Sequence, residues 1–382
     1  MRGQIIRRGE GRYLVRAPIG RDATGKRRYH NKTIHGTKRT AQEYLARILR
    51  EMDLGEFVEY SHESLSDYLR RWLSDVVARR VRERTLEDYQ QLAARHLLPR
   101  LGHFKLSQIT PERIEACYSA MSRDGLSPRT VRYAHSVLHG SLEHAVERGH
   151  LARNPAKKAV LPRQENREMR ALSQAEALRF AAAIRGTRLE ALWYLLLAGG
   201  LRPGEALGLK WGDLEGERLH IQRTLVFLKS GEWRLTPPKT SRSRRAVVLP
   251  PSALALLAQH REIQRQERMV AGEHWAENDL VFCTKEGRPL EWRLLAQRYL
   301  RPLLASAGLV GLRPYDLRHS CATLLLASGE NAKVVSERLG HASVAFTLDV
   351  YSHVLPDMQQ RAADRIEQLL TVGDANERVQ SA

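Results

Sequence analysis

Residues 315–354 read YDLRHSCATLLLASGENAKVVSERLGHASVAFTLDVYSHV, and the rest of the chain is best read outward from them. Leu317, Cys321, Leu324 and Leu325 recur at helical spacing, and Gly329 stops that helix. Arg318 adjoins the apolar stripe, so it is expected to be partly buried, and a buried guanidinium needs an anionic partner. His319 falls about 100° further around the same helix and is expected to play a structural part. His341 follows Leu339-Gly340 in a turn, Ser343 can cap the next helix, and Tyr351 stands on that helix. A cation, an imidazole and a hydroxyl nucleophile are the groups an attack on a phosphodiester requires. Each has a plainer reading. A lone tyrosine on an amphipathic helix is usually core, and with an ordinary pKa of about 10 it is a poor nucleophile unless cations stabilise the phenolate.

Two upstream segments offer further cations. In LLLAGGLRPGEALGLKWGDL (195–214), Arg202 follows a Gly-Gly turn and precedes Pro203, which suits the first turn of a helix. Glu205 then lies in that first turn, where a carboxylate is favoured. In TPPKTSRSRRAVVLP (236–250), Lys239 sits at a Pro-Pro turn between two expected strands. From there it can reach over a substrate and donate a proton if its pKa is lowered. Taken singly, either residue is more often a surface charge.

The composition names the substrate class. The chain has 382 residues, a formal charge of +19 and a pI near 10.2, and a fold alone does not require that excess. A polyanion explains it, nucleic acid ahead of an anionic membrane surface. Residues 1–55 carry 14 Lys/Arg against 5 Asp/Glu, nearly half of the surplus. Cys117, Cys283 and Cys321 are odd in number and widely spaced, which argues against a disulfide framework or a zinc site and for a reducing cytosol. The N-terminus lacks an apolar signal core, and no apolar run approaches a membrane span. A cytoplasmic, nucleoid-associated protein is expected.

The pattern divides the chain. Residues 1–55 predict two strands, at about 11–19 and 26–34, and a helix at about 40–53 with Tyr44, Leu45, Ile48, Leu49 and Met52 on one face. This is too small for an enzyme, but a basic ribbon bearing Arg12, Arg16, Arg27 and Arg28 can enter a DNA groove. Residues 62–153 predict four helices in a bundle, with starts at Thr110-Pro111 and Ser127-Pro128, stops at Gly125 and Gly149, and one helix ending before Pro99. Arg82, Arg84, Arg129 and Arg132, with Arg79 and Arg80, cluster at helix starts and joints, where phosphates are well held. Residues 154–170 read as a linker and 171–371 as a larger domain, opened by a Ser173/Glu176 capping box. That domain runs from helices through a β-rich part to helices again, and 372–382 reads as a disordered tail. Residues 356–370 predict a short amphipathic helix carrying Ile366, Leu369 and Leu370. The expected class is mainly α, multidomain α+β.

The motifs are weak singly, but their order and spacing match a family. Arg202-x-x-Glu205 with Leu209-x-Trp211-x-Asp213, Lys239 on a hairpin, Leu317-Arg318-His319 followed by Ala-Thr, Leu339-Gly340-His341 and Thr347-Leu-Asp-Val-Tyr351-Ser-His353 resemble the tyrosine recombinase (phage integrase) family over about 170–355. The bundle looks like that family's core-site DNA-binding domain. The first 55 residues are similar to the arm-type DNA-binding domain of lambda-like and conjugative-transposon integrases. The resemblance implies that Tyr351 attacks the scissile phosphate, forming a 3′-phosphotyrosyl link and freeing a 5′-hydroxyl. Arg202 and Arg318 would hold the non-bridging oxygens, His341 would add a hydrogen bond, Lys239 would protonate the leaving oxygen, and Glu205 would orient the cations. It implies no cofactor or metal, double-stranded DNA with core-type and arm-type sites, and a homotetramer in which two rounds through a four-way junction exchange strands. A host bending protein and a directionality factor are further partners it allows.

One position departs from the pattern. The family's second box usually reads His-x-x-Arg, and here it begins with Tyr315, whose hydroxyl can bond a phosphate oxygen but cannot act as an imidazole. His319 is out of phase to replace it directly. The competing readings are a DNA-binding protein without catalysis descended from a recombinase, a type IB topoisomerase-like nicking-closing enzyme and a metal nuclease. Joint retention of Arg202, Lys239, Arg318, His341 and Tyr351 speaks against the first, the arm-type N-terminus against the second, and the lack of a carboxylate cluster against the third.

Overall fold

A computed structural model describes residues 3–21, 25–53, 63–164, 169–238, 241–341, 343–351, 360, 363–367 and 370. The chain divides into two compact units, Met1–Asn166 and Arg167–Ala382.

The first unit opens with three strands rather than two: β1 (Gln4–Gly9), β2 (Arg12–Arg21) and β3 (Arg27–His35), antiparallel in the order β1-β2-β3. The added strand is QIIRRG, whose cations hid a half-buried Ile5-Ile6 pair from the alternation pattern. Helix α1 (Lys38–Asp53) packs on β2, where Val15 and Ala17 meet Ala41 and Ile48 in a small core. The opposite face carries cations, and the Arg16 guanidinium lies 3.9 Å over the Tyr29 ring.

The helical part of this unit comprises α2 (Leu65–Asp75), α3 (Glu83–Leu92), α4 (Pro111–Arg123) and α5 (Pro128–Glu147). Thr110 and Ser127 cap α4 and α5 through the backbone N–H groups of Arg113 and Thr130, with Pro in the first turn of each. The third expected helix end is different. After Leu92 the chain stays helical through a widened turn at Ala93–Leu97 and a last turn at Leu98–Leu101, with Pro99 inside it. A widened i→i+5 turn accommodates a residue that lacks an N–H, so Pro99 does not stop the helix. Leu65, Leu69, Leu97, Ile114, Met121, Val137 and Leu138 form a core that is essentially free of solvent.

Much of the segment read as a linker is strapped to the bundle. The Asn154 amide donates to the His139 carbonyl at 3.1 Å, the Val160 N–H donates to Glu115 at 2.8 Å, and Arg132 Nε donates to the Pro162 carbonyl at 3.0 Å.

The second unit begins with α6 (Gln174–Ile184), held by the reciprocal Ser173/Glu176 capping box, and α7 (Glu190–Ala198). Short α8 (Pro203–Leu207) leads into two small antiparallel sheets. Strands β4 (Leu214–Glu215), β5 (Arg218–Ile221) and β8 (Arg245–Val248) form one, and β6 (Thr224–Phe227) with β7 (Trp233–Thr236) the other. Helices α9 (Pro251–Ala271), α10 (Trp292–Leu295), α11 (Arg301–Ser306), α12 (Pro314–Ala327), α13 (Ala332–Leu339) and α14 (Val344–Tyr351) complete it. The main core gathers Phe180, Leu192, Trp193, Leu201, Phe282, Leu309 and Leu317. A separate small cluster of Ala322, Leu326, Val335 and Leu339 surrounds the Tyr351 ring. Among the described residues no helix is long and apolar enough to cross a membrane.

Candidate active site

Three segments far apart in sequence meet at one turn. The first is the Gly199-Gly200 corner after α7. Gly200 has a φ of +62°, and a Cβ there would lie 2.5 Å from Leu339 and 3.2 Å from the Cys321 sulfur, so only glycine fits. The corner delivers Arg202 to the position before α8. Its N–H donates to Glu205 Oε2 at 3.0 Å, its Nη1 to Oε1 at 2.6 Å, and its Nη2 to the Gly340 carbonyl at 3.4 Å.

The second segment is α12. Arg318 is 4% exposed, and its Nη1 donates to the Gly200 carbonyl at 2.7 Å while its Nη2 donates to the Leu339 carbonyl at 2.6 Å. A buried guanidinium was expected to hold an anion, but here its acceptors are neutral carbonyls. They accept two of its N–H groups and leave the charge uncancelled. Burial, then the neighbouring Arg202 and Arg245 charges, push its pKa down to about 9, so it is still a cation at neutral pH.

The third segment is the turn between α13 and α14. Gly340 takes a left-handed conformation (φ 67°, ψ 49°), which ends α13 and turns out His341. The His341 N–H donates to the Ser336 carbonyl, and its Nδ1 is 2.8 Å from Thr347 Oγ1. Burial, followed by the Arg318 and Arg202 charges, drives its pKa down to about 3, so it is a neutral imidazole. Ser343 caps α14 through the Phe346 N–H at 3.1 Å, and Tyr351, on the final residue of that helix, is 2% exposed. Burial raises the phenol to about 12, against a lowering pull from Arg318.

Two residues not singled out for the site contact its members. Arg245, on β8, has a side chain only 6% exposed. It donates to both Glu205 oxygens at 2.9 and 3.3 Å, to the Arg338 carbonyl at 2.6 Å and to the Ser243 carbonyl at 3.1 Å. Burial alone would raise the Glu205 pKa, but Arg245 and Arg202 outweigh it and hold the carboxylate ionised. In the sequence Arg245 lies only on the strand expected after the Pro-Pro turn, within RRAVVLP. The second is His319, expected to play a structural part: its Nδ1 lies 2.6 Å from Tyr351 Oη. It shares a helix stripe with Ala322 and Leu326, the stripe against which the tyrosine packs. That i, i+3, i+7 spacing was the signal.

Arg202, Arg245 and Arg318 face one carboxylate, Glu205, which leaves two positive charges uncancelled. A cleft of about 460 Å³ adjoins them, lined among others by Arg242, Arg244, Lys333, Gly340 and His341. Tyr315 is 52% exposed, on the first turn of α12. Lys239 lies outside the described residues. In the first unit, Arg12, Arg27, Arg28, Arg82 and Arg129 are exposed. Arg84 instead faces Glu87 and Asp88 at 3.4 and 3.9 Å, and Arg132 holds the Pro162 carbonyl.

A tyrosine hydroxyl on an imidazole, beside guanidiniums that keep their charge, is an arrangement compatible with phosphoryl transfer through a tyrosyl nucleophile. Comparison with known proteins agrees. Residues 165–358 match the model of the phage integrase family, and 64–122 match the phage integrase N-terminal SAM-like domain. A "Tyrosine recombinase XerC-like" protein of Caldanaerobacter subterraneus subsp. tengcongensis is 31% identical, over 95% of this chain and 98% of its own. The ICEBs1 integrase of Bacillus subtilis is 26% identical over 94% and 98%. Among solved structures, the Tn1549 transposon integrase in complex with a circular intermediate DNA aligns with a TM-score of 0.67 at 18% identity, covering 80% of this chain and 99% of that one. A lambda integrase dimer bound to a COC′ core site aligns with a TM-score of 0.55 at 18% identity, covering 91% and 94%. The chain belongs to the phage integrase family and is a tyrosine site-specific recombinase.

Proposed function

We propose that Tyr351 Oη attacks the scissile phosphate of a core-type DNA site, forms a 3′-phosphotyrosyl link and releases a 5′-hydroxyl. The observation that carries this reading is the convergence of Arg202 and Arg318 on the carbonyls of one turn, Leu339-Gly340, directly before His341. A phosphodiester attacked by a phenolate passes through a pentavalent dianion, and two uncancelled guanidinium charges match it. Arg202 and Arg318 hold the non-bridging oxygens, and His341, neutral, donates a further hydrogen bond. Tyr315 bonds a phosphate oxygen from its exposed position, and Lys239 protonates the leaving 5′ oxygen. Glu205 orients Arg202 and Arg245. The phosphate bond energy is kept in the protein link, so rejoining to a partner strand needs no nucleotide.

The domains divide the recognition. Residues 62–153 grip the core site, with Arg82 and Arg129 on phosphates, and in the second unit the cleft bearing Arg242, Arg244 and Lys333 offers cations beside the catalytic centre. Residues 1–55 bind the arm-type site through Arg12, Arg16, Arg27 and Arg28. Ile366 and Leu370, 58% and 71% exposed, suit docking of the C-terminal segment on a neighbouring subunit in a tetramer. The protein acts on the nucleoid in the cytoplasm, with a host bending protein and a directionality factor as further partners.

The test is covalent trapping. Nicked duplexes tiled across the DNA around the coding sequence are incubated with the full chain and resolved on denaturing gels. The wild type is expected to form an adduct whose DNA end can be mapped. Tyr351→Phe should bind the same duplex and form none. An adduct in that variant places the nucleophile elsewhere.

A further inference from the structure

The nucleophile has a proton to lose, and with its pKa raised to about 12 only about one molecule in 10⁵ is a phenolate at pH 7. The proton must therefore leave during the attack, to an acceptor already within about 2.6–3.2 Å. The position that carries an imidazole in the family's usual second box is Tyr315 here, half exposed and unsuited to the task. His341 Nδ1 is engaged by Thr347 Oγ1, and Arg318 has no acceptor to offer. His319 Nδ1 is in place, 2.6 Å from Oη, with ring centroids 5.9 Å apart and planes at 50°.

We propose that His319 is a catalytic residue: its Nδ1 takes the phenolic proton as Tyr351 Oη attacks phosphorus, and returns it when the strands are rejoined. This rests on the reading of Tyr351 as the nucleophile. In cleavage the Oη–P bond forms and the P–O5′ bond breaks, leaving its electron pair on O5′, which takes a proton from Lys239. The phenolic proton moves to His319, whose other proton sits on Nε2. In rejoining, the incoming 5′-hydroxyl gives its proton back to Lys239, the Oη–P bond breaks, and His319 reprotonates Oη.

Burial keeps the imidazole neutral and ready to accept, and Arg318 and Arg313 push the same way against Asp316. These three stand on or beside the first turns of α12; from the other elements, His341 and Tyr351 face it. The acid limb of cleavage is therefore expected below pH 6.5, the ordinary histidine value.

The experiment uses the full chain and the nicked duplex mapped from the wild-type adduct, following single-turnover cleavage from pH 5 to 9. Cleavage by the wild type should fall as pH drops through the acid limb. His319→Gln should bind that duplex normally, cleave about 10²–10⁴-fold more slowly and lose the limb. Imidazole in the buffer should restore part of the rate of His319→Ala. Cleavage by His319→Gln within about threefold of wild type, or a slow variant that keeps the limb, overturns the assignment. Should neither variant fold, the wild type decides alone. On a 5′-phosphorothiolate substrate, whose leaving group needs no proton, the acid limb must persist, and its loss rejects His319. Tyr351→Phe separates the two readings: an adduct there sinks the nucleophile itself, whereas strict dependence on Tyr351 with a silent His319→Gln sinks only this proposal.

Discussion

Arg245→Met tests how the site is held together. The substitution keeps side-chain length but removes a charge and five N–H donors from a place only 6% exposed. Glu205 would retain the Arg202 N–H and Nη1 contacts at 3.0 and 2.6 Å and lose its two-pronged partner. The carbonyls of Arg338 and Ser243 would lose a donor as well. Removing one partner of a buried pair costs about 3–5 kcal/mol. Against that, Arg318 and Arg202 are relieved of a repulsive neighbour, which brings the net toward about 3 kcal/mol at the lower end of that range. Arg202→Met is the control. Its side chain is about a third exposed and leaves the Glu205–Arg245 pair intact, so a loss of about 1 kcal/mol is expected, the scale of a more exposed pair. The assay is guanidinium unfolding, read on the transition of the Arg167–Ala382 unit, since a chain of two units need not unfold in one step. Arg245→Lys, which keeps the charge but cannot bridge Glu205 and two carbonyls, should fall between. A loss below about 1 kcal/mol for Arg245→Met, or a larger loss for Arg202→Met, would refute the view that Arg245 is the structural cation and Arg202 the exposed working one.

Arg318→Ala should lower single-turnover cleavage by several orders of magnitude, because a buried transition-state contact is lost; a loss under about tenfold in that assay rejects the role. Stability should fall as pH drops from about 6.5 toward about 3, checked by Tm against pH. His341 has a folded pKa of about 3 against an ordinary 6.5, so in that window the unfolded chain binds more protons, and His341→Asn should flatten the slope. Glu205 adds a second loss at lower pH, since its stabilisation is present above about 4.5 and vanishes as pH falls through its depressed folded value. Gly340→Ala should cost about 1–2 kcal/mol in the same unfolding assay for the left-handed backbone alone. Its Cβ would also meet Arg242 O and the Arg245 side chain at 3.1 Å, so cleavage should drop with it.

The sequence made some of this legible for a physical reason: local signals have local causes. The caps at Thr110, Ser127, Ser173 and Ser343 and the Arg202-Pro203-x-Glu205 turn each involve a side chain reaching a backbone group about three residues away, and all formed where expected. Pro99 misled because a single wide turn absorbs the missing donor, a property of the helix before it rather than of the proline. Arg245 was illegible for a different reason. Its worth lies in Glu205, 40 residues earlier, and Arg338, 93 later, and nothing in RRAVVLP states those distances. His319 fell between the two cases. Its stripe with Ala322 and Leu326 was readable, but which element would cover that stripe was not, until α14 brought Tyr351 onto it.

Arg318 differs from several other arginines of its unit in the chemistry of its partners. Arg188 is matched by Glu267 at 2.5 Å, Arg223 is bonded to Asp213, and Arg313 is matched by Asp316 at 3.1 Å. Each of those charges is cancelled by its carboxylate, and such a pair has little left to offer a ligand. Arg318 is held instead by the carbonyls of Gly200 and Leu339, and Arg202 shares Glu205 with Arg245 while leaning on Gly340. A carbonyl satisfies an N–H geometrically yet carries no formal charge, so the guanidinium is fixed in place with its attraction for an anion intact. The arrangement costs stability, because like charges stand close in a dry setting, and it requires glycine at 200 and 340 to bring the carbonyls near enough. Neutral partners do not by themselves mark a ligand site, since Arg338 is likewise held by the Val248 and Ala198 carbonyls; at Arg318 they fix a guanidinium that keeps its charge beside the turn that positions His341.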